Sequence, residues 1–211
     1  CTHCHFATFK KTLDSVHHVA QARGDVTAPL CTDCHGAHNV HSPNQPRSRI
    51  SQTCARCHAG ISTVYSKSVH GKALVDDNNP DVPTCIDCHG VHNIPDPTTN
   101  EFRLQSPTEM CGKCHTDEEK MSKYGISTDV LNTYVGDFHG TTVIFEQQSP
   151  DQETNKPVCF DCHGIHDIKS VDDPQSGIAI KENLLASSEL AAHPFLKSRR
   201  EQLAQMIPGT P

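Results

Sequence analysis

Every cysteine of the chain stands in a C-x-x-C pair followed at once by histidine: Cys1/Cys4/His5, Cys31/Cys34/His35, Cys54/Cys57/His58, Cys85/Cys88/His89, Cys111/Cys114/His115 and Cys159/Cys162/His163. Two thiols at this spacing with an imidazole directly behind them form the c-type haem attachment pattern. The chemistry explains the spacing. The thiols add to two vinyl groups on one porphyrin edge, and the next residue swings under the ring to ligate iron. With 16 His in 211 residues, six such placements by chance have a probability of about 10⁻⁷. Zinc sites use C-x-x-C pairs without requiring that His, and a thioredoxin-type pair needs one motif on a βαβ scaffold. The cofactor expected is therefore haem c, six per chain, with the twelve Cys as attachment points and the six following His as proximal iron ligands.

The composition agrees with a chain that cannot build its own interior. Only 35% of residues are hydrophobic, in a count that includes 12 Cys; mean hydropathy is -0.53, Trp is absent, and 14 Pro and 12 Gly interrupt the rest. Side-chain burial alone would not offset the conformational entropy of so polar a chain. The flat apolar faces of the porphyrins take the place of Leu, Phe and Trp. A net charge of -7 with no basic stripe excludes nucleic acid and anionic membrane surfaces as expected partners. No apolar run approaches the length of a spanning helix. The sequence opens on Cys1 without a leader, as a mature or truncated chain would.

A two-haem unit recurs three times, over about 1–50, 51–107 and 108–172, followed by a tail over 173–211. The second motif of each unit is extended: CTDCHGAHNV from Cys31, CIDCHGVHNI from Cys85, CFDCHGIHDI from Cys159. The first is followed by an island, Ser15-Val16-His17 or Ser68-Val69-His70, whose third counterpart is Asp137-Phe138-His139 after an insertion within 116–136. The second face of each iron decides between electron transfer and catalysis. The repeat selects six further imidazoles for six irons: His17, His70 and His139 from the islands, His38, His92 and His166 from the G-x-H extensions. Bis-His ligation throughout is expected, with His18 an alternative to its neighbour His17. His3, His41 and His193 have no place in the repeat. Met110, Met121 and Met206 do not follow it either, so low, closely graded potentials are expected.

A G-x-H histidine stays on the proximal side of its own haem and must reach a neighbouring one. Gly36, Gly90 and Gly164 suit that redirection, since glycine accepts the left-handed conformation that ends a helical turn. The expected assignment is G-x-H to the first haem of its own unit and the island His to the second. Asp33, Asp87 and Asp161, each before the second Cys, read as turn caps or solvated residues.

The elements holding these ligands are expected to be short. Proline-rich linkers (42–46, 95–99, 172–177) predict extended or turn segments, with short α-helices around the motifs, little β-structure, and one mostly irregular, haem-cored domain with a stacked haem chain. The spacing would put a seventh motif near 182–185, where none occurs. Lys181 to Ile207 instead reads as helix broken at Pro194, with an apolar stripe that either caps the last haem or docks onto a partner or second copy.

These motifs resemble the multihaem c-type cytochromes of the periplasm and cell exterior, whose units alternate plain C-x-x-C-H, S-x-H-G and C-x-D-C-H-G-x-H. The likeness covers residues 1 to about 168. It implies export across a bacterial or archaeal membrane, a periplasmic or extracellular location, and electron transfer rather than catalysis. The chain would serve as a soluble shuttle, a subunit of a respiratory complex or a filament-forming cytochrome, with redox proteins or further copies of itself as partners. The alternative is a nitrite- or hydroxylamine-type reductase or oxidase, which would need one iron with an open position.

Overall fold

The computed structural model describes residues 1–40, 42, 44–148 and 156–179. His41, His193, Met206 and the apolar stripe of the tail lie outside them. Thirteen α-helices and no strand occur among the described residues, and the longest helix, Phe138–Glu146, has nine residues. The expected class, short helices joined by irregular chain, is the one observed.

The repeat is visible in how each helix starts and stops. All three islands open a helix. Ser15 Oγ accepts the His17 amide at 3.3 Å ahead of Val16–Ala22, Ser68 Oγ accepts the Gly71 amide at 3.0 Å ahead of Val69–Val75, and Asp137 Oδ1 accepts the His139 amide at 2.8 Å ahead of Phe138–Glu146. A Ser or Asp in this position satisfies an amide that a helix start leaves unpaired. The histidine therefore always sits in the first turn.

The extended motifs are five-residue helices, Cys31–His35, Cys85–His89 and Cys159–His163. Each starts on its own aspartate, which accepts the amide three residues before it: Asp33 from Leu30 at 2.7 Å, Asp87 from Thr84 at 2.6 Å, Asp161 from Val158 at 2.7 Å. Each stops on its glycine, with φ of 79° at Gly36, 74° at Gly90 and 84° at Gly164. Helices this short are not stable alone, and the aspartate and glycine fix both ends.

Apolar packing is sparse. Ile50, Leu74, Leu104, Met121, Val143 and Val158 are the buried hydrophobic residues described, while eighteen large apolar side chains are exposed on the polypeptide itself. The cluster of Leu104, Val143 and Val158, with Phe160 against it, lies in the third unit. Peptide hydrogen bonds join one unit to the next. The Val16 amide donates to the Ile94 carbonyl and the Val69 amide to the Ile168 carbonyl, both at 2.9 Å. The island helices of the first two units are thus each sewn to the G-x-H tail of the following unit.

Candidate haem centres

The twelve cysteines are all free thiols, and their neighbours order the motifs in a line. Burial raises the Cys34 thiol, with the nearby Cys57 adding to the rise, and burial, Asp87 and the nearby Cys114 push Cys88 up to about 11. A hydrogen bond with Cys85 raises Cys54, and one with Cys159 raises Cys111. Motifs two to six therefore adjoin in sequence order, alternately through second cysteines (34 with 57, 88 with 114) and first cysteines (54 with 85, 111 with 159).

Cys162 departs from that alternation. It is the second cysteine of the last extended motif, the counterpart of Cys34 and Cys88, yet the structure pairs it with no cysteine of another motif among the described residues. Residues 167–211 hold no further C-x-x-C-H to stand where Cys57 and Cys114 stand. Cys162 is a partly buried free thiol, and the backbone beside it is covered by the start of the tail: a methyl added at Gly177 would lie 2.3 Å from the Cys162 carbonyl oxygen. At the opposite end Cys1 and Cys4 are exposed.

The imidazoles meet two at a time. His17 faces His58 with ring centres 6.2 Å apart, His35 faces His92 at 6.0 Å, His70 faces His115 at 6.3 Å and His89 faces His166 at 6.0 Å. Every pair joins a histidine following a C-x-x-C to an island or G-x-H histidine. Direct contact between aromatic rings tolerates centroid distances anywhere from about 4.5 to 7 Å. Two imidazoles on opposite sides of one metal ion, with nitrogen–metal bonds of about 2.0–2.1 Å, have their centres held roughly 6 Å apart. The four separations, from 6.0 to 6.3 Å, are compatible with one intervening ion; other ring pairs of the chain span 5.7 to 6.4 Å, so it is the pairing of a C-x-x-C-H histidine with a repeat-specified one, rather than the distance, that marks these four as candidate ligand pairs. Among the described residues, no three His, Cys, Asp or Glu side chains converge on a bare-metal site. Facing pairs beside paired thiols, with many apolar side chains left at the surface, fit a flat macrocycle held at one edge and on both faces.

Electrostatics keep these rings in the form that binds iron. Burial lowers the imidazoles of His17, His70, His89, His92, His115 and His166, and the facing ring adds to this at His17, His70, His89 and His92. His70 reaches about 4. A neutral imidazole offers the lone pair that a metal takes.

The pairing differs from the assignment expected of the sequence. No described pair lies within a unit. The G-x-H residues His92 and His166 face the second-motif His35 and His89 of the unit before, and the island residues His17 and His70 face the first-motif His58 and His115 of the unit after. The positive-φ glycine and the amide–carbonyl bonds between successive units carry the G-x-H tail back onto its predecessor. Of the adjacent His17 and His18, it is His17 that faces a second imidazole, while His18 stands edge-on to Phe9 at 6.4 Å. His5, His38 and His139 face no second imidazole among the described residues, and His163 lies close enough to His115 to contribute to its lowering.

Several supporting residues escaped the sequence reading. Arg47 donates to Asp87 at 2.6 Å and to the Val82 carbonyl at 3.2 Å, and Arg103 grips both oxygens of Asp161 at 3.0 and 2.6 Å and the Lys156 carbonyl at 2.8 Å. Partly exposed pairs of this kind contribute about 1 kcal/mol or less, so they act mainly by orienting the motif that follows. Tyr65 donates to the Pro83 carbonyl and Tyr134 to that of Pro157, at 2.9 Å for the latter. The signal was present in the sequence: a Tyr three residues before Ser68 and Asp137, and a Pro two residues before each extended motif.

Neither a curated protein nor a solved structure matches the chain. The family model of cytochrome c3 matches residues 26–116, the span holding the four motifs from Cys31 to His115, and over that span the chain is similar to multihaem c-type cytochromes, which carry electrons.

Proposed function

We propose that the protein carries six covalent c haems, each destined for two axial imidazoles, and passes electrons along them from one end of the chain to the other. The observation that carries this reading is the set of four facing histidine pairs at one spacing, each built from a C-x-x-C-H and a repeat-specified partner. The proposed ligands are His5, His35, His58, His89, His115 and His163 on the tethered side and His17, His38, His70, His92, His139 and His166 on the other. The proposed tethers are the twelve cysteines, from Cys1 and Cys4 at one end to Cys159 and Cys162 at the other.

Bound haem supplies a one-electron couple at each iron. The protein sets where the couples sit and how strongly each form is favoured. Each cysteine pair would tether one haem, and the attachment motifs from Cys31 to Cys162 adjoin in succession, which would bring their haems close together. The facing imidazoles would hold a bound haem iron from both sides, which would leave no iron among those pairs open to a substrate and favours transfer over catalysis. Burial of the imidazoles excludes water from the ligands. Export to the periplasm or cell exterior, and a redox protein at each end, follow as part of the same proposal.

Two measurements test it together. Pyridine haemochrome analysis is expected to return six haems per polypeptide, and low-temperature electron paramagnetic resonance to show low-spin ferric iron at the sites of all four described pairs. A haem count well below six would end the six-haem reading, and a stoichiometric high-spin signal that changes when nitrite or hydroxylamine is added would replace the conduit with an enzyme.

A further inference from the structure

The site of the fifth motif, Cys111 to His115, differs from the other described sites in three connected ways. Its imidazole planes cross. His70 and His115 are inclined at 53°, whereas His17 with His58, His35 with His92 and His89 with His166 lie within 21–23° of parallel. The chain also enters this motif by a different path. Cys54 follows Arg47 by seven residues and Cys111 follows Arg103 by eight, although both arginines grip the aspartate of their unit's extended motif. The extra residue is taken up in a π-helical turn, Ser106–Gly112, inside a helical run from Asn100 to His115. Pro107 has no amide to offer the Arg103 carbonyl, which takes the Ser106 hydroxyl at 2.7 Å instead. The wide turn brings Gly112 so near Pro107 that an added methyl would lie 2.7 Å from the proline carbonyl oxygen.

The third difference is cover. The same methyl would lie 3.1 Å from Leu131 Cδ2, which belongs to the insertion within 116–136. That insertion also buries Met121 and is tied to the second unit, where Lys123 Nζ donates to Asp81 at 3.0 Å and the Tyr124 hydroxyl lies 3.0 Å from the same oxygen. Cys111, Cys114 and His115 are all partly buried, whereas Cys57 and His58 of the counterpart third motif are exposed.

Both features act on a one-electron iron couple in the same direction. Parallel imidazoles split the two π-type d orbitals of low-spin iron and so stabilise the ferric form, in which the upper orbital is half empty. In the ferrous form both are full and the splitting yields nothing. Crossed planes remove part of the splitting, so the ferric form loses stability and the potential rises. The ferric bis-imidazole core also carries a net positive charge that the ferrous core lacks, and a drier site disfavours the charged form.

We infer that the Ser106–Gly112 turn and the 116–136 insertion make the site of His70 and His115 the most oxidising of the four described pairs, so that an electron entering the line comes to rest there. The inference rests on the six-haem reading. The electron comes from a neighbouring reduced haem, which is oxidised in turn, and no bond forms or breaks.

The test is a redox titration of the haem-loaded full chain followed by electron paramagnetic resonance. His17→Ala, His70→Ala, His92→Ala and His166→Ala each remove one low-spin iron, and the difference from the unaltered protein gives that iron's resonance and midpoint. A smaller orbital splitting moves the first resonance to lower field. The iron lost in His70→Ala is expected to have the lowest-field resonance of the four and the most positive midpoint. Deleting the exposed Glu109 restores the seven-residue spacing and keeps every ligand. It should move that resonance to higher field and its midpoint downward, with the low-spin count unchanged. A His70 signal at or above the field of any of the other three, a midpoint at or below any of theirs, or a Glu109 deletion that leaves both unmoved overturns the inference while leaving the six-haem reading intact. A haem count below six overturns that reading itself.

Discussion

His92 is the residue at which the ligand assignments separate most sharply. Its ring lies 6.0 Å from that of His35, in the preceding unit, with a positive φ of 67° that turns it back along the chain. Removing one axial imidazole exposes one iron. On the proposed ligation His92→Ala is therefore expected to convert one ferric iron per chain to high spin, and the His35→Ala/His92→Ala double variant to convert the same one, since both residues would serve it. Electron paramagnetic resonance quantitation checks this: two high-spin irons in the double variant would mean that the facing rings belong to different haems. Repeat position singles out His17, His38, His70, His92, His139 and His166 from ten candidates, and four of these, His17, His70, His92 and His166, face a motif histidine, so that much of the pairing was legible in the sequence. Which motif each one meets was not, because period and spacing say that a G-x-H histidine must leave its own haem but not which way the glycine aims it.

Helices here are placed by their ends rather than by their faces. Among the described residues a nine-residue maximum leaves no room for a long amphipathic stripe, so hydrophobic periodicity had little to report there, while caps and stops (Ser15, Ser68, Asp137, Gly36, Gly90, Gly164) were readable residue by residue. What could not be read was close approach between elements. A methyl added at Gly71 would lie 1.9 Å from the Tyr65 carbonyl oxygen, and one at Gly140 equally close to that of Tyr134, whereas one at Gly60 would meet nothing within 4 Å. Gly71→Ala must push backbone against backbone and is expected to cost about 1–3 kcal/mol or more. Gly60→Ala, within the Ala59–Tyr65 helix, should stabilise by about 0.5–1 kcal/mol through helix propensity. Denaturant unfolding of the two haem-loaded variants checks both signs, and equal midpoints would remove the packing argument.

At the scale of the whole molecule, the sequence repeat and the structural unit do not coincide. The two-haem blocks 1–50, 51–107 and 108–172 are units of pattern, whereas all four facing pairs bridge successive blocks. Composition had indicated a chain without a conventional core, and among the described residues six buried apolar side chains stand against eighteen large exposed ones. A fragment of residues 1–50 that has received its haems is accordingly expected to contain no low-spin bis-imidazole iron. A 1–107 fragment should recover two, through His17 with His58 and His35 with His92. Near-infrared magnetic circular dichroism distinguishes the cases, and bis-imidazole bands in the shorter fragment would show that a block completes its own ligation.

The backward reach of the G-x-H tails also orders events in time. A polypeptide delivered from its amino end presents His35 long before His92 and His89 long before His166. On the six-haem reading, each second-motif haem would keep one face accessible to water until a later stretch of chain supplied its second imidazole. A chain stalled midway would, on the same reading, betray its position by the number of irons still able to bind an external ligand such as cyanide or carbon monoxide.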